Sequence, residues 1–77
     1  MTKKEKEIIK KYVNEAWERL MQTEKEVLEE YEMTTNSAAY VINKLLDHSK
    51  KYQNRLYEWA LLDDLAKELK IEQIYEE

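Results

Sequence analysis

The chain contains no glycine, no proline and no cysteine among its seventy-seven residues. Because glycine and proline interrupt regular structure more strongly than any other residue, their absence predicts long helices with few turns. Without cysteine the chain can form neither disulfides nor thiolate metal sites, and one histidine argues against structural zinc. Self-association is then the remaining source of extra stability for so small a domain.

Long apolar runs are also missing. The longest, Ala38–Ile42, contains five residues, whereas a membrane span requires about 18. The basic start, Met1–Lys6, is not followed by the apolar segment of a secretion signal. We therefore expect a cytoplasmic protein that does not associate with membranes. A net charge of −4 at pH 7 argues against a general nucleic-acid binder.

The first half of the chain carries one apolar seam of helical periodicity. Its members recur at alternating spacings of four and three residues, which is typical of a helix that packs along one face. The spacing predicts a first helix over about residues 3–33. The seam consists of Ile9, Val13, Ala16, Leu20, Thr23 and Val27.

A cluster of four short polar residues, Thr34 to Ser37, follows and predicts a turn at 34–36. Their side-chain oxygens can accept hydrogen bonds from free backbone N–H groups, as helix N-caps do. A second helix is expected to begin near Asn36 or Ser37 and to extend over about residues 37–70. Its seam has the same spacing as the first and consists of Ala38, Ile42, Leu45, Ser49, Tyr52, Leu56 and Trp59.

The pattern changes after Trp59, because the later leucines lie on a different side of a helical wheel from this seam. Either the helix breaks near Asp63–Asp64 and a short third helix follows over about 64–75, or the helix continues and presents a second apolar face. The absence of glycine and proline favours continuity. The last residues, 71–77, are expected to be frayed, as chain termini often are.

Charge supports an antiparallel hairpin. Folding at the turn places the acidic stretch Glu15–Glu32 beside Lys44, Lys50 and Lys51, and the basic start, Lys3–Lys11, beside Glu58, Asp63 and Asp64. Each exposed pair contributes only about 0.2–1 kcal/mol, so the pattern selects orientation more than it adds stability. The predicted fold is therefore all-α: a long antiparallel helical hairpin that dimerises into a four-helix bundle.

The open end of this hairpin carries more apolar side chains than two helices can cover. A large exposed apolar patch usually marks an interface, and tyrosine is enriched at such contacts. We expect this surplus to form either a self-interface or a surface for another protein. The candidate partner-binding residues are Tyr12, Tyr40, Tyr57, Leu61, Leu65 and Leu69.

Residue patterns that carry chemistry are weak in this chain. Asp47, His48 and Ser49 are consecutive, and immediate neighbours on a helix do not face each other, so no nucleophile–base pair forms. A phosphate-binding loop requires glycine. No catalytic, metal or cofactor-binding residue is therefore predicted, and we expect the protein not to be an enzyme.

Small size, missing chemistry and surplus apolar surface favour a non-enzymatic protein–protein interaction module. Such a chain would act as a regulator or inhibitor that binds a larger protein, as small phage or mobile-element proteins do; eleven lysines against two arginines fit A/T-rich coding of that kind. Two alternatives stay open. One is a nucleic-acid-binding regulator that uses the lysine-rich N-terminus, and the other is a purely structural dimeric bundle.

Overall fold

The computed structural model describes residues 1–34 and 36–71, and all regular structure within those residues is helical. Three helices follow one another: α1 over Lys3–Glu30, α2 over Ala39–Asp47 and α3 over Lys50–Glu68. The all-α prediction is confirmed. α1 and α3 form the antiparallel pair that the sequence predicted, while α2 is a short helix between them that the sequence did not predict.

α1 begins where the sequence offers a capping box. The Thr2 hydroxyl accepts from the Glu5 backbone N–H, and the Glu5 carboxylate accepts from the Thr2 backbone N–H in return. The predicted seam is confirmed on this helix, since five of its six members are buried and Ile9 is half-buried. The buried members are Val13, Ala16, Leu20, Thr23 and Val27.

α1 ends at Glu30, three residues earlier than predicted, because the chain enters a left-handed turn without glycine. Glu32 has φ of 56°, and the N–H groups of Met33 and Glu32 donate to the carbonyls of Leu28 and Glu29. This is the Schellman arrangement, which satisfies carbonyls that the helix end leaves free. Lys70, with φ of 56°, ends α3 in the same way, as Ile71 donates to Ala66.

The turn that follows α1 uses its short polar side chains differently from the prediction. Ser37 Oγ accepts from the backbone of Thr34, and Thr34 Oγ1 accepts from the backbone of Asn36. These oxygens are therefore engaged inside the turn and do not cap a helix. α2 accordingly begins later than predicted, at Ala39, after an N-cap residue, Ala38, that makes no side-chain capping bond. The predicted turn residue Thr35 lies outside the described residues.

The predicted second helix is divided at His48–Ser49, not near Asp63–Asp64. Ser49 adopts an extended conformation, and its Oγ accepts from the backbone N–H of Tyr52, so it is the N-cap of α3. The side-chain amide of Gln53 also connects the two helices, because it donates a hydrogen bond to the Leu46 carbonyl. The sequence interpretation placed Ser49 in the apolar seam, whereas the structure shows that it caps α3, which explains why a new helix begins there. α3 then continues through Asp63 and Asp64 without a break.

Removing this cap tests the junction. We expect Ser49→Ala to lower the free energy of unfolding by about 1 kcal/mol, since a backbone N–H at the start of α3 loses its acceptor. Ser49→Asp keeps an acceptor at the helix N-terminus and should leave stability unchanged or slightly higher. Urea unfolding followed by circular dichroism measures both, and equal losses for alanine and aspartate would contradict the capping assignment.

Two clusters of buried apolar side chains lie toward opposite ends of the α1–α3 pair. Near residues 31–49, which we call the loop end, α2 packs its buried side chains against α1; this cluster contains Val27, Leu28, Ile42 and Leu46. At the other end, which we call the open end, the cluster is Val13, Ala66 and Ile71, with Ile9, Trp59, Leu62 and Leu69 packed around it. Ile71 is thus buried, contrary to the expectation of fraying, while residues 72–77 lie outside the described residues.

Candidate interaction surface

The predicted partner-binding residues divide into three groups in the structure. Tyr57, Leu61 and Leu65 are exposed by 67%, 70% and 45%, and Tyr12 by 53%. Tyr40 is 72% exposed but lies on α2. Leu69 is half-buried and packs against the open-end cluster, so it belongs to the core more than to the surface.

Three of these residues form a ladder along α3. Tyr57, Leu61 and Leu65 are spaced four residues apart, which places them on adjoining turns of one helix side. The buried residues of α3, Asp63 and Ala66, lie on the opposite side. The helix therefore packs with one face and presents the ladder to solvent.

Ion pairs between the helices identify the side of the molecule to which this ladder belongs. The Arg19 guanidinium binds the Glu58 carboxylate, and Lys51 Nζ lies 3.0 Å from Glu26 Oε2. At 100° per residue, Tyr12 lies within about 20° of Arg19 on α1, and Leu65 within about 20° of Glu58 on α3. Tyr12 and Leu65 therefore lie on the same side of the helix pair.

Contacts between α1 and α3 show which of their residues lie side by side along the helix axes. The rings of Trp17 and Trp59 lie 5.2 Å apart between centroids, so these residues are level with each other. Counting from them in opposite directions along antiparallel helices places Tyr12 level with Leu65. Because α2 lies between α1 and α3 in the chain, α3 is shifted along α1 relative to a hairpin with a tight turn at 34–36.

We call the resulting surface the open-end face. Its four apolar side chains, on this side of the open end, are Ile8, Tyr12, Leu61 and Leu65. Tyr57 lies at its margin. Ile8 is 45% exposed and one helical turn before Tyr12, and it was not among the six predicted contact residues. Its wheel position beside Tyr12 was the available signal. Apolar side chains of both helices are thereby brought together in solvent.

Tyr40 does not join this face. It lies on α2 at the loop end, where the Lys44 ammonium lies 5.6 Å from the centroid of its ring. That distance is typical of a cation–π contact, which is worth about 0.5–1 kcal/mol at an exposed site. The predicted set of contact residues is therefore split between the two ends of the molecule.

The charge pattern that predicted the hairpin is confirmed in part. Lys51 pairs with Glu26 and Glu30 of α1, as expected. Glu58 pairs with Arg19 instead of the N-terminal lysines, because the shift caused by α2 brings it level with the middle of α1. Asp63 pairs within its own helix with Lys67 at 2.9 Å.

These ion pairs lower the pKa of the carboxyl groups that they engage. Hydrogen bonds from Arg19 lower the pKa of the Glu58 carboxyl below its ordinary value of 4.5, against the opposing effect of burial. The hydrogen bond with Lys51 likewise lowers the pKa of Glu26. A carboxyl group whose pKa is lower in the folded than in the unfolded chain stabilises the fold at pH values above its ordinary pKa. This contribution is lost as the pH falls below 4.5 and through the folded-state pKa.

Side chains that could take part in catalysis or metal binding are dispersed over the described residues. His48 is exposed and is the C-cap of α2, where its backbone N–H donates to the Leu45 carbonyl. Within the described residues, no group of three or more histidine and carboxylate side chains is placed to hold a metal ion. Among the same residues, no helix combines the length and apolar character that crossing a bilayer requires.

Comparisons of the chain with protein-family models, with curated proteins and with solved structures find no match.

Proposed function

We propose that this chain is a small non-enzymatic protein–protein interaction module, a regulator or inhibitor of the phage or mobile-element type, whose contact surface is the open-end face. The observation that carries the proposal is the ladder of Tyr57, Leu61 and Leu65, which stands in solvent next to a completed core cluster. Most of the surface of Tyr57 and Leu61 stays in solvent when α1 and α3 pack, with exposed fractions of 67% and 70%. A partner protein that covers these residues would explain why apolar side chains occupy exposed positions.

The ladder offers apolar area together with one polar group for a protein contact. Full burial of one leucine contributes about 1.5–3 kcal/mol, and tyrosine adds a hydroxyl that hydrogen-bonds at the rim of an apolar contact. Tyr12 and Tyr57 border the leucines on α1 and α3 respectively. Burial of even part of this face yields a free energy that is useful for binding. The proposal includes a cytoplasmic setting, in which the larger partner is an intracellular protein.

Replacing the two ladder leucines tests this surface. We expect Leu61→Glu combined with Leu65→Glu to abolish capture of the partner protein from a lysate of the cells that encode this chain, because two carboxylates would have to lose water in the contact. Both side chains are exposed, so circular dichroism should show unchanged helicity.

The matched control is Val41→Glu, which introduces the same charge at an exposed aliphatic residue of α2, far from the open-end face. Capture should survive this change. A double variant that is folded and still captures the partner as well as the original chain does would reject the open-end face as the contact surface.

A second candidate function rests on the start of α1. Lys3, Lys4 and Lys6 are exposed there, and lysine ammonium groups bind nucleic-acid phosphates. The Glu5 carboxylate is engaged by the Thr2 backbone and hydroxyl, so the helix presents its lysines on a capped, ordered turn. Binding of this kind weakens steeply with salt and requires intact nucleic acid, which distinguishes it from capture of a protein.

A further inference from the structure

We infer that a second copy of this chain pairs with the outer side of α3, the side that points away from α1, so that the two α3 helices lie antiparallel about a two-fold axis at the level of residue 59. This self-contact goes beyond the proposed function, although Tyr57 and Leu61 belong to both surfaces. The symmetric order of apolar and charged side chains along α3 identifies a second copy as the occupant.

The outer side of α3 carries the ladder at its centre and charges of opposite sign at its two ends. At 100° per residue, Lys50 and Glu68 lie on one line along the helix, and Tyr57 and Leu61 lie within about 20° of that line. All four side chains are exposed. The other residues of α3 within about 60° of the line are Gln53, Asn54, Asp64 and Leu65. On this side the positive charge therefore lies at the start of α3 and the negative charge near its end.

These residues are placed symmetrically along the helix. Tyr57 and Leu61 each lie two residues from the level of residue 59, and Lys50 and Glu68 each lie nine residues from it. A two-fold axis perpendicular to α3 at that level exchanges the members of each pair. Tyr57 of each copy then meets Leu61 of the other, while Lys50 of each copy meets Glu68 of the other.

The charges on this side also oppose the dipole of their own helix. The first turn of α3 contains no acidic residue and begins with Lys50 and Lys51, whereas Asp64 and Glu68 lie near the C-terminus, where carboxylates are unfavourable. An antiparallel copy corrects both ends, because it brings carboxylates to the N-terminus of α3 and a lysine to its C-terminus. A parallel copy would place lysine beside lysine and glutamate beside glutamate, which like charge disfavours.

The remaining charged side chains of α3 lie beside this surface and are engaged in ion pairs. They lie about 80–140° from the line through Lys50 and Glu68 on the helical wheel: Lys51, Arg55, Glu58, Asp63 and Lys67. Burial and the nearby charges of Glu24 and Asp47 raise the pKa of the Tyr52 hydroxyl, so Asp47 also lies toward the α1 side of α3. Because α1 packs against the opposite side of α3, its mixed lysines and carboxylates take no part in the contact.

The size of this contact determines its strength. Stable interfaces involve about 20–30 residues a side, whereas this contact is limited to one side of a single helix. We therefore expect a weak, reversible dimer with a Kd of roughly 0.1 mM. A larger protein that binds Leu61 can displace the second copy.

Charge reversal at the two ends of the contact tests the arrangement. Lys50→Glu alone and Glu68→Lys alone should each weaken the dimer roughly tenfold, because each places like charges together at two equivalent contacts. The matched control is Lys25→Glu, which makes the same change of charge at an exposed lysine of α1, far from the outer side of α3, and should leave the dimer unchanged. Sedimentation velocity up to about 1 mM measures the dissociation constants, and circular dichroism verifies that each variant is folded.

The decisive sample is an equimolar mixture of the Lys50→Glu and Glu68→Lys chains. In the antiparallel arrangement the mixed dimer has opposite charges at both ends, so mixing should restore association to about the original strength. An original chain that stays monomeric throughout the series, a control that weakens as much as the two end variants, or a mixture that associates no better than its components would overturn the inference. These samples contain no partner protein, so failure of this inference and failure of the proposed function are read separately.

Discussion

Replacing Leu28 by alanine is expected to lower the free energy of unfolding by about 2–5 kcal/mol, the usual cost of emptying a leucine site in a core. The Leu28 side chain is fully buried in the loop-end cluster, where α1 meets Ile42 and Leu46 of α2. α2 has only nine residues, which is too short to be stable without packing. The substitution removes the apolar side chain of α1 against which α2 packs.

A domain of this size buries only roughly 60% of its unfolded surface, so a loss of this magnitude consumes much of its stability. Urea unfolding followed by far-UV circular dichroism measures the change. Leu61→Ala is the matched control, since the same truncation at an exposed leucine should cost no more than about 0.5 kcal/mol. Equal costs at the two positions would contradict the docking of α2 on α1.

The second large effect is expected at the tryptophan pair. Trp59→Ala should lower the free energy of unfolding by about 3 kcal/mol, since this ring packs against Val13, Ala66 and Ile71 in the open-end cluster. Trp17→Ala should cost less, because the Trp17 side chain is partly exposed and lies at the edge of the pair. Trp59, a member of the predicted seam, is half-buried and packs against the open-end cluster.

Trp17 and Trp59 also permit a measurement of their mutual contact. Their tilted rings, at an interplanar angle of 56°, have a geometry that contributes about 0.5–1.5 kcal/mol beyond area burial. A double-mutant cycle that combines both alanine substitutions isolates this coupling. Additive losses, with no coupling, would mean that the two helices are not level at these residues and that the open-end face is placed wrongly.

The extent to which the sequence predicted the fold differs between its two halves. α1 was predictable because its seam continues without interruption, and only its end was misplaced, since Glu32 takes a left-handed conformation that usually requires glycine. The break at His48–Ser49 was hidden for a different reason. Ser49 replaces a seam residue at the expected spacing, so the periodicity continues across two separate helices.

The candidate surface was predictable in part for the same reasons. The ladder of Tyr57, Leu61 and Leu65 follows from helix periodicity within α3 alone, and the structure leaves it in solvent. Its position relative to α1 depends on the length of the connection, which periodicity does not report. Tyr40 was grouped with the ladder because α2 and α3 read as one helix, and Leu69 was included because packing around Ile71 is not visible in a local pattern.

Affinity capture with the tagged chain from a lysate of the cells that encode it, with and without nuclease treatment, tests the central claim most directly. The account predicts one protein partner at a stoichiometric level, recovered equally from both lysates and lost with the Leu61→Glu, Leu65→Glu variant. Recovery of the bait alone, or a partner that disappears with nuclease treatment, would contradict the claim that this chain acts by binding another protein through its open-end face.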